Sequence, residues 1–197
     1  NIVGLAIGMA AAMLIMLWVN YQLTFNKTFP KNDQLYVVGS KEFSDGQIAV
    51  WFSTAKPLAP ALKNEVPEIK NVSRLSGSKG LLFDIGEKKV PSKVGAFVDS
   101  AFLNMFELPI SAGKRNSALT DPNQIVVSED LANRLFGNTD VLGKTVRIDS
   151  TNVLTISGVL EKDLGNNIFQ GYDYLLPWTL FEKLGYSDNQ WGNSSVG

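Results

Sequence analysis

The 197-residue chain contains no cysteine and no histidine. Without cysteine it can form no disulfide, no thiolate metal site and no cysteine nucleophile. Without histidine it lacks the commonest general base, the Ser-His-Asp arrangement and most zinc sites. The missing histidine is the strongest compositional evidence against an ordinary hydrolase. We therefore predict no catalytic residue, no cofactor-binding residue, no bound cofactor and no metal ligand.

Charge is absent from the first twenty residues, and the rest of the chain carries all 18 basic and 19 acidic side chains. These charges nearly cancel, and the basic ones form no stripe along the sequence. A nucleic-acid partner usually requires a clustered basic surface. We therefore predict no nucleic-acid binding.

The charge-free segment contains an unbroken apolar run from Ile2 to Val19. As a helix this run rises about 27 Å, close to the ~30 Å hydrocarbon core of a bilayer. A buried core helix would be amphipathic or shorter, and a cleaved signal peptide would have a basic start and a small-x-small cleavage site. Trp18 and Tyr21 lie at the end of the run, where an interfacial aromatic belt would lie. We predict a transmembrane helix in contact with membrane lipid.

Small residues recur along this helix at four-residue spacing, at Gly4, Gly8 and Ala12. Such a face lets a second helix approach closely. Small residues are also common in membrane helices that have no close partner, so both interpretations stay open.

Downstream, strands and helices mix without a regular βαβ alternation, which predicts an α+β domain. We expect the first helix to continue as a stalk to about Thr28, before Pro30 ends it. This divides the chain into a helix and stalk, 1–28, and a domain, 29–197. The expected strands are 35–39, 48–52, 72–75, 81–85, 90–99, 124–127, 144–149, 153–160 and 172–176, and the expected helices are 54–65, 100–106, 129–136 and 179–184.

The segment from Gly137 to Thr145 superficially resembles a phosphate-binding loop. It has five residues between its glycines where a P-loop has four, and it follows a helix and precedes a strand. A P-loop lies the other way round, so that helix N-terminal amides meet the phosphate. We interpret the segment as a helix cap followed by a turn.

Two acidic pairs and several aromatic residues remain as candidates for chemistry. Glu129 and Asp130 fit the first turn of a helix, where acids complement the dipole. Glu161 and Asp163 lie in a polar loop that supplies no further cation ligands. The aromatic residues that could line a ligand cleft, or could equally be core or subdomain contacts, are Trp51, Phe52, Trp178 and Trp191.

A series of short segments forms a recognisable pattern along the chain: 2–19, 21–29, 32–38, 57–62, 66–69, 98–106 with Gly113, 119–122, 125–128, 135–137, 142–145 and 156–160. Each piece is weak alone, but their shared order and spacing are specific. Taken in order, the series resembles the N-terminal part of ABC transporter permeases of the MacB/FtsX-like family. Two positions depart from the family pattern: Asn26 stands where Asp is usual, and Val38 where Arg is usual.

The resemblance implies a MacB-like periplasmic core domain of two subdomains, anchored in the bacterial inner membrane with residues after 28 in the periplasm. It also implies a cytoplasmic ABC ATPase partner, a permease homo- or heterodimer, and a periplasmic or outer-membrane partner. ATP hydrolysis would reside in the ATPase, and the permease part would be non-catalytic. The expected function is mechanical coupling in the export or efflux of drugs, peptides or lipoproteins. We expect the chain to stop before the segment that returns to the membrane.

A second hypothesis is a membrane-anchored extracytoplasmic sensor domain of a signalling receptor. Such a protein would also show one span followed by an α+β domain. Three further spans downstream would favour the permease, and a kinase or cyclase domain would favour the sensor.

Overall fold

A computed structural model of the chain describes residues 2–44, 46–78, 80–92, 94–186, 190–192 and 194–196. It has the predicted architecture of one N-terminal apolar helix followed by a mixed α and β domain. The helices in the described residues are α1 (Ile2–Thr24), α2 (Leu58–Glu65), α3 (Phe102–Met105), α4 (Glu129–Phe136) and α5 (Trp178–Lys183). The strands are β1 (Ser40–Ser44), β2 (Gln47–Trp51), β3 (Thr54–Ala55), β4 (Leu75–Ser78), β5 (Leu82–Ile85), β6 (Lys88–Pro91), β7 (Gly95–Val98), β8 (Ile110–Gly113), β9 (Gln124–Ser128), β10 (Thr145–Ile148), β11 (Asn152–Leu160), β12 (Tyr174–Pro177) and β13 (Ser194–Val196).

Helix α1 ends at Thr24, so the expectation of helix to about Thr28 is wrong. The residues that follow form turns and not a continuous stalk. Asn26 has a positive φ of 60°, a left-handed conformation that Asn tolerates better than most residues and that cannot continue a helix. The division of the chain between residues 28 and 29 stays a prediction.

The domain is built on a mixed sheet whose strand order is β4-β7-β12-β9-β11-β10-β5-β6, with β8 added beside β11. The pairs β12–β7 and β11–β9 are parallel, and the other pairs are antiparallel. The ring of Phe83 on β5 lies 5.4 Å from that of Tyr174 on β12, although β9, β11 and β10 lie between these strands in the sheet order. The sheet must therefore curl strongly. Outside this sheet, β1 pairs with β2 and β13 pairs with β3.

Both faces of the central strands are buried. On β7, Phe97 belongs to one apolar cluster, whereas Ala96 and Val98 belong to the other, as the predicted alternation requires. Residues of α4 and α5 cover the first face. Residues of α3, the chain after α1 and the loop before β12 cover the second. Central strands covered on both faces are rigid, which makes this sheet a firm base for the elements packed on it.

Helix α4 follows its sequence signals. Ser128 caps its N-terminus by accepting a hydrogen bond from the Leu131 N–H at 3.1 Å, and Glu129 and Asp130 occupy the first turn. Gly137 ends it with a φ of 77°, a conformation that glycine adopts without strain. These predictions are confirmed, together with the β10–β11 hairpin.

Other local predictions are shifted or wrong. Residues 35–39 form no strand, and β1 begins only at Ser40. The helix expected after Thr54 begins at Leu58, because Thr54 and Ala55 pair as a strand with β13. The long strand expected over 90–99 is two strands, β6 and β7. Strand β8 was not predicted.

We expect Leu131→Ala to lower the free energy of unfolding by about 2–5 kcal/mol, the range for emptying a buried leucine site. Leu131 lies on the buried face of α4, where truncation of its side chain leaves a cavity against the sheet. Denaturant unfolding followed by tryptophan fluorescence measures the effect. The matched control is Leu142→Ala, the same change at a side chain that is 49% exposed, and it should shift unfolding little. Equal effects at both positions would contradict this description of the core.

Candidate functional site at the junction of helix α1 and the domain

Helix α1 is apolar on every side and lies exposed along its whole length. Its 23 residues include no charged side chain, and none is buried against the domain. At 1.5 Å per residue it is about 34 Å long, and by length and composition it can cross a membrane. An apolar surface of this extent is typical of a membrane-spanning helix, which makes the point where α1 meets the domain the candidate site.

We call this meeting point the junction. It consists of residues 21–29, which are the last turn of α1 and the chain that follows it, and of the loop of residues 164–170. The loop binds the last turn of the helix. The Asn166 side-chain amide donates to the carbonyl oxygen of Tyr21 at 2.6 Å and to Oγ1 of Thr24 at 3.0 Å. The last carbonyls of a helix have no backbone partner within it, and the Tyr21 carbonyl also accepts from the Thr24 hydroxyl at 3.1 Å. The Asn166 amide therefore adds a donor from the domain to a group at the open end of the helix.

The chain immediately after α1 is bonded to the same loop in both directions. The Asn26 backbone N–H donates to the Asn166 carbonyl at 2.8 Å. In return, the Ile168 backbone N–H donates to Oδ1 of Asn26 at 3.0 Å. The positive φ of Asn26 thus turns the chain so that its backbone and side chain both face the loop.

Thr28 packs into the same loop. Its Oγ1 accepts a hydrogen bond from the buried Asn167 amide at 3.2 Å. Gly165 has a φ of 86°, and a Cβ there would lie 2.9 Å from Cγ2 of Thr28. Position 165 therefore requires glycine for both its backbone conformation and its contact with Thr28.

Phe29 anchors the segment in the second apolar cluster. Only 7% of the residue is exposed, and its ring lies 5.2 Å from that of Phe106 and 5.7 Å from that of Phe169. Phe102 extends the aromatic group, with its ring 4.9 Å from that of Phe169. Edge and tilted ring pairs of this kind each contribute about 0.5–1.5 kcal/mol beyond the area they bury. Phe29 thereby ties the junction to the domain core.

Electrostatic contacts surround the anchor without forming a reactive site. Nζ of Lys31 lies 2.6 Å from Oε1 of Glu107, and this hydrogen bond and charge lower the pKa of the Glu107 carboxyl. Burial raises the pKa of Tyr172, whose ring packs 5.8 Å from that of Phe169. The ion pair is exposed to solvent and so orients side chains more than it stabilises the fold.

The acidic pairs named from the sequence form local contacts near the loop. Oε2 of Glu129 accepts from the Lys162 N–H at 3.1 Å, and Oδ1 of Asp130 lies 3.5 Å from Nζ of Lys162. Oδ1 of Asp163 accepts from the Gly165 N–H at 2.8 Å and shapes the turn that enters the junction. Across the described residues, no group of three or more acidic side chains is arranged to hold a metal ion.

Of the four aromatic candidates, one is buried in the core and three are exposed. Trp178 is a core residue with 2% exposure, and its indole N–H donates to Glu182 at 3.0 Å. Trp51 borders an open depression of about 460 Å³. Phe52 and Trp191 are exposed. A small-molecule site usually encloses most of its ligand, which a shallow depression cannot do.

The other candidates are also structural or open. The segment from Gly137 to Thr145 connects α4 to β10, as the capping interpretation requires. A second open depression of about 570 Å³ lies over the loop of residues 113–117.

The sequence predicted only a polar loop over 163–171, and no local pattern indicated that Asn166 and Asn167 bind residues more than 130 positions away. The Gly-Asn-Asn run was the available signal, since it is typical of a constrained turn.

Comparison with known proteins agrees with this architecture. A family profile for the MacB-like periplasmic core domain matches residues 1–196. Comparison with curated protein sequences gives no match.

Three solved structures are similar to the chain. A domain of a permease protein from Porphyromonas gingivalis is 30% identical, with a TM-score of 0.63 over 80% of this chain and 67% of that one. The periplasmic region of MacB from Actinobacillus actinomycetemcomitans is 17% identical, with a TM-score of 0.54 over 68% and 60% of the two chains. The extracellular domain of the noncanonic ABC-type transporter YknZ from Gram-positive bacteria is 20% identical, with a TM-score of 0.52 over 73% and 70%.

The two structures below 25% identity support the fold alone. The chain spans 60–70% of the lengths of these three solved chains. The family profile covers nearly every residue, including the apolar helix. By that match, the chain belongs to the family of MacB-like periplasmic core domains.

Proposed function

We propose that the chain couples ATP hydrolysis by a cytoplasmic ABC ATPase to movement of its extracytoplasmic domain, through the junction. In this proposal α1 spans the bacterial inner membrane and the domain lies in the periplasm. The movement acts on molecules outside the membrane, such as drugs, peptides or lipoproteins, together with a periplasmic or outer-membrane partner. The permease chain itself contributes no chemistry.

The observation that carries the proposal is the short, hydrogen-bonded connection between α1 and the core. Only four residues, 25–28, separate the helix end at Thr24 from the buried ring of Phe29. A flexible linker would let the helix move independently of the domain. Here the hydrogen bonds of Asn26 and Asn166 and the packing of Phe29 oppose such independent movement.

The loop side of the junction leads directly to the sheet. The loop joins the end of β11 to the start of β12, and both strands pair with β9. A displacement of α1 that pulls on Asn166 and Phe169 therefore acts on the centre of the sheet. This arrangement suits transmission of a movement better than recognition of a ligand.

Dimerisation would bring two copies of α1 or their neighbouring spans together. Gly8 lies on the exposed helix, with no atom within 4 Å of the position a Cβ would take. Gly4, Gly8 and Ala12 are all exposed along α1, so this face would admit the close helix contact that was one of the two interpretations of the small-residue spacing. The sensor hypothesis gains no support, because the similar structures reported above come from permeases and ABC-type transporters.

The proposal predicts that the ends of α1 in two subunits change separation during the ATPase cycle. Gln22→Cys and Phe25→Cys place single cysteines at exposed positions beside the junction, on a chain that has none. In the intact permease with its ATPase, intersubunit crosslinking should differ between the nucleotide-free state and a state in which hydrolysis is blocked. Thr151→Cys, at the β10–β11 turn, controls for general reactivity. Identical crosslinking in all nucleotide states would contradict the proposal.

A second prediction concerns the anchor. Phe29→Ala should destabilise the domain by about 3–5 kcal/mol and speed hydrogen exchange in residues 164–170, because it removes a buried ring from the aromatic cluster. Transport should fall while nucleotide binding by the ATPase persists. Phe25→Ala is the matched control, since Phe25 is 39% exposed and four residues earlier. If exchange in the loop is equal in the two variants, Phe29 is not the anchor.

A further inference from the structure

The length of α1 places its last residues in the headgroup layer of the membrane. The apolar run from Ile2 to Val19 fills about 27 Å of the ~30 Å hydrocarbon core, and each headgroup layer adds roughly 5–7 Å. Residues 20–24 span such a layer at 1.5 Å per residue. The exposed rings of Trp18 and Tyr21 occupy its inner boundary, where amphipathic aromatic side chains are preferred.

The loop of residues 164–170 lies at the same depth because it is bonded to this turn. The Asn166 amide reaches the carbonyl of Tyr21 at 2.6 Å and the hydroxyl of Thr24 at 3.0 Å. Two residues later, the Ile168 N–H reaches Asn26 at 3.0 Å. The domain therefore approaches the membrane at two places, through α1 and through this loop beside it.

Ile168 is the unusual side chain of the loop. It is 51% exposed, whereas its neighbours Asn167 and Phe169 are buried. An exposed isoleucine needs no special explanation on an ordinary surface. At the depth of the helix end, however, its surroundings are phospholipid rather than water.

We infer that the loop rests in the headgroup layer of the extracytoplasmic leaflet, with Ile168 in contact with phospholipid beside α1. The exposed ammonium group of Lys27, three residues beyond the helix, lies at the outer edge of the same layer, where lipid phosphates attract it. The contact adds a second point of support next to the span and so fixes the tilt of the domain relative to the membrane. This inference rests on α1 spanning the bilayer.

A fluorescent label tests the contact. The cysteine-free chain allows an environment-sensitive probe such as NBD to be attached at Ile168→Cys alone. The protein is reconstituted into vesicles of phosphatidylethanolamine and phosphatidylglycerol, with and without lipids that carry a nitroxide quencher near the glycerol. Emission from the probe at position 168 should shift to the blue relative to the same probe at a water-exposed control position. It should also lose intensity when the quencher lipids are present. Lys27→Cys supplies a second reporter in the same layer.

The matched control is Val153→Cys, whose native side chain is equally exposed at 50%. Leu160, at the other end of β11, belongs to the same apolar cluster as Phe29. Val153 lies seven residues before Leu160 on this strand, so it is up to about 23 Å farther from the junction than Leu160 is. Its probe should remain unshifted and unquenched. Leu14→Cys, in the middle of α1, is measured with lipids that carry the nitroxide on the acyl chain, and it reports whether the helix itself lies in the bilayer.

The outcomes separate the two claims. Quenching at positions 14 and 168 with none at 153 supports the contact. Quenching at 14 with positions 168 and 153 equally unquenched overturns it while leaving the span and the proposed function standing. Absence of quenching at 14 overturns the span and the inference together. Circular dichroism of each labelled variant verifies that the fold is retained. We expect it to be retained at positions 168 and 153, because the native side chains there are about half exposed.

Discussion

The packing of Phe29 between Phe106 and Phe169 is the contact on which the arrangement of helix and domain depends. It lies five residues beyond the helix end, a length of chain that reaches at most about 18 Å when fully extended. Turns shorten that reach further, and the hydrogen bonds of Asn26 with Asn166 and Ile168 fix its direction. Without the buried ring, those exposed hydrogen bonds would compete with water and the connection would behave as a hinge.

The sheet gives this contact its mechanical meaning. The loop that carries Asn166 and Phe169 starts at β11 and ends at β12, on either side of β9. Both faces of β9, of β12 and of the last three residues of β11 are buried, by helices on one side and by the aromatic cluster on the other. Regions with many buried apolar contacts open rarely, so force applied at the junction reaches the sheet before it is lost in local unfolding.

Sequence patterns predicted what depends on neighbouring residues. Ser128 and Gly137 define α4 because capping is local, and the alternation of Ala96, Phe97 and Val98 identifies the two faces of β7. Residues 35–39 have strand-forming side chains, yet a strand also needs a partner and the sequence cannot supply it. The junction was beyond reach for the same reason, since Asn166 binds residues about 140 positions away. The motif series indicated the family because the order and spacing of motifs can be read from the sequence alone, whereas contacts cannot.

The central claim is that α1 and the domain move together. A distance distribution between spin labels at Gln22→Cys on the helix and Thr151→Cys at the β10–β11 turn, within one subunit of the membrane-reconstituted permease, tests it most directly. The account predicts one narrow distribution that keeps its mean when the ATPase is trapped with nucleotide. A broad distribution, or a mean that changes with nucleotide, would show that the helix moves against the domain and would contradict the account.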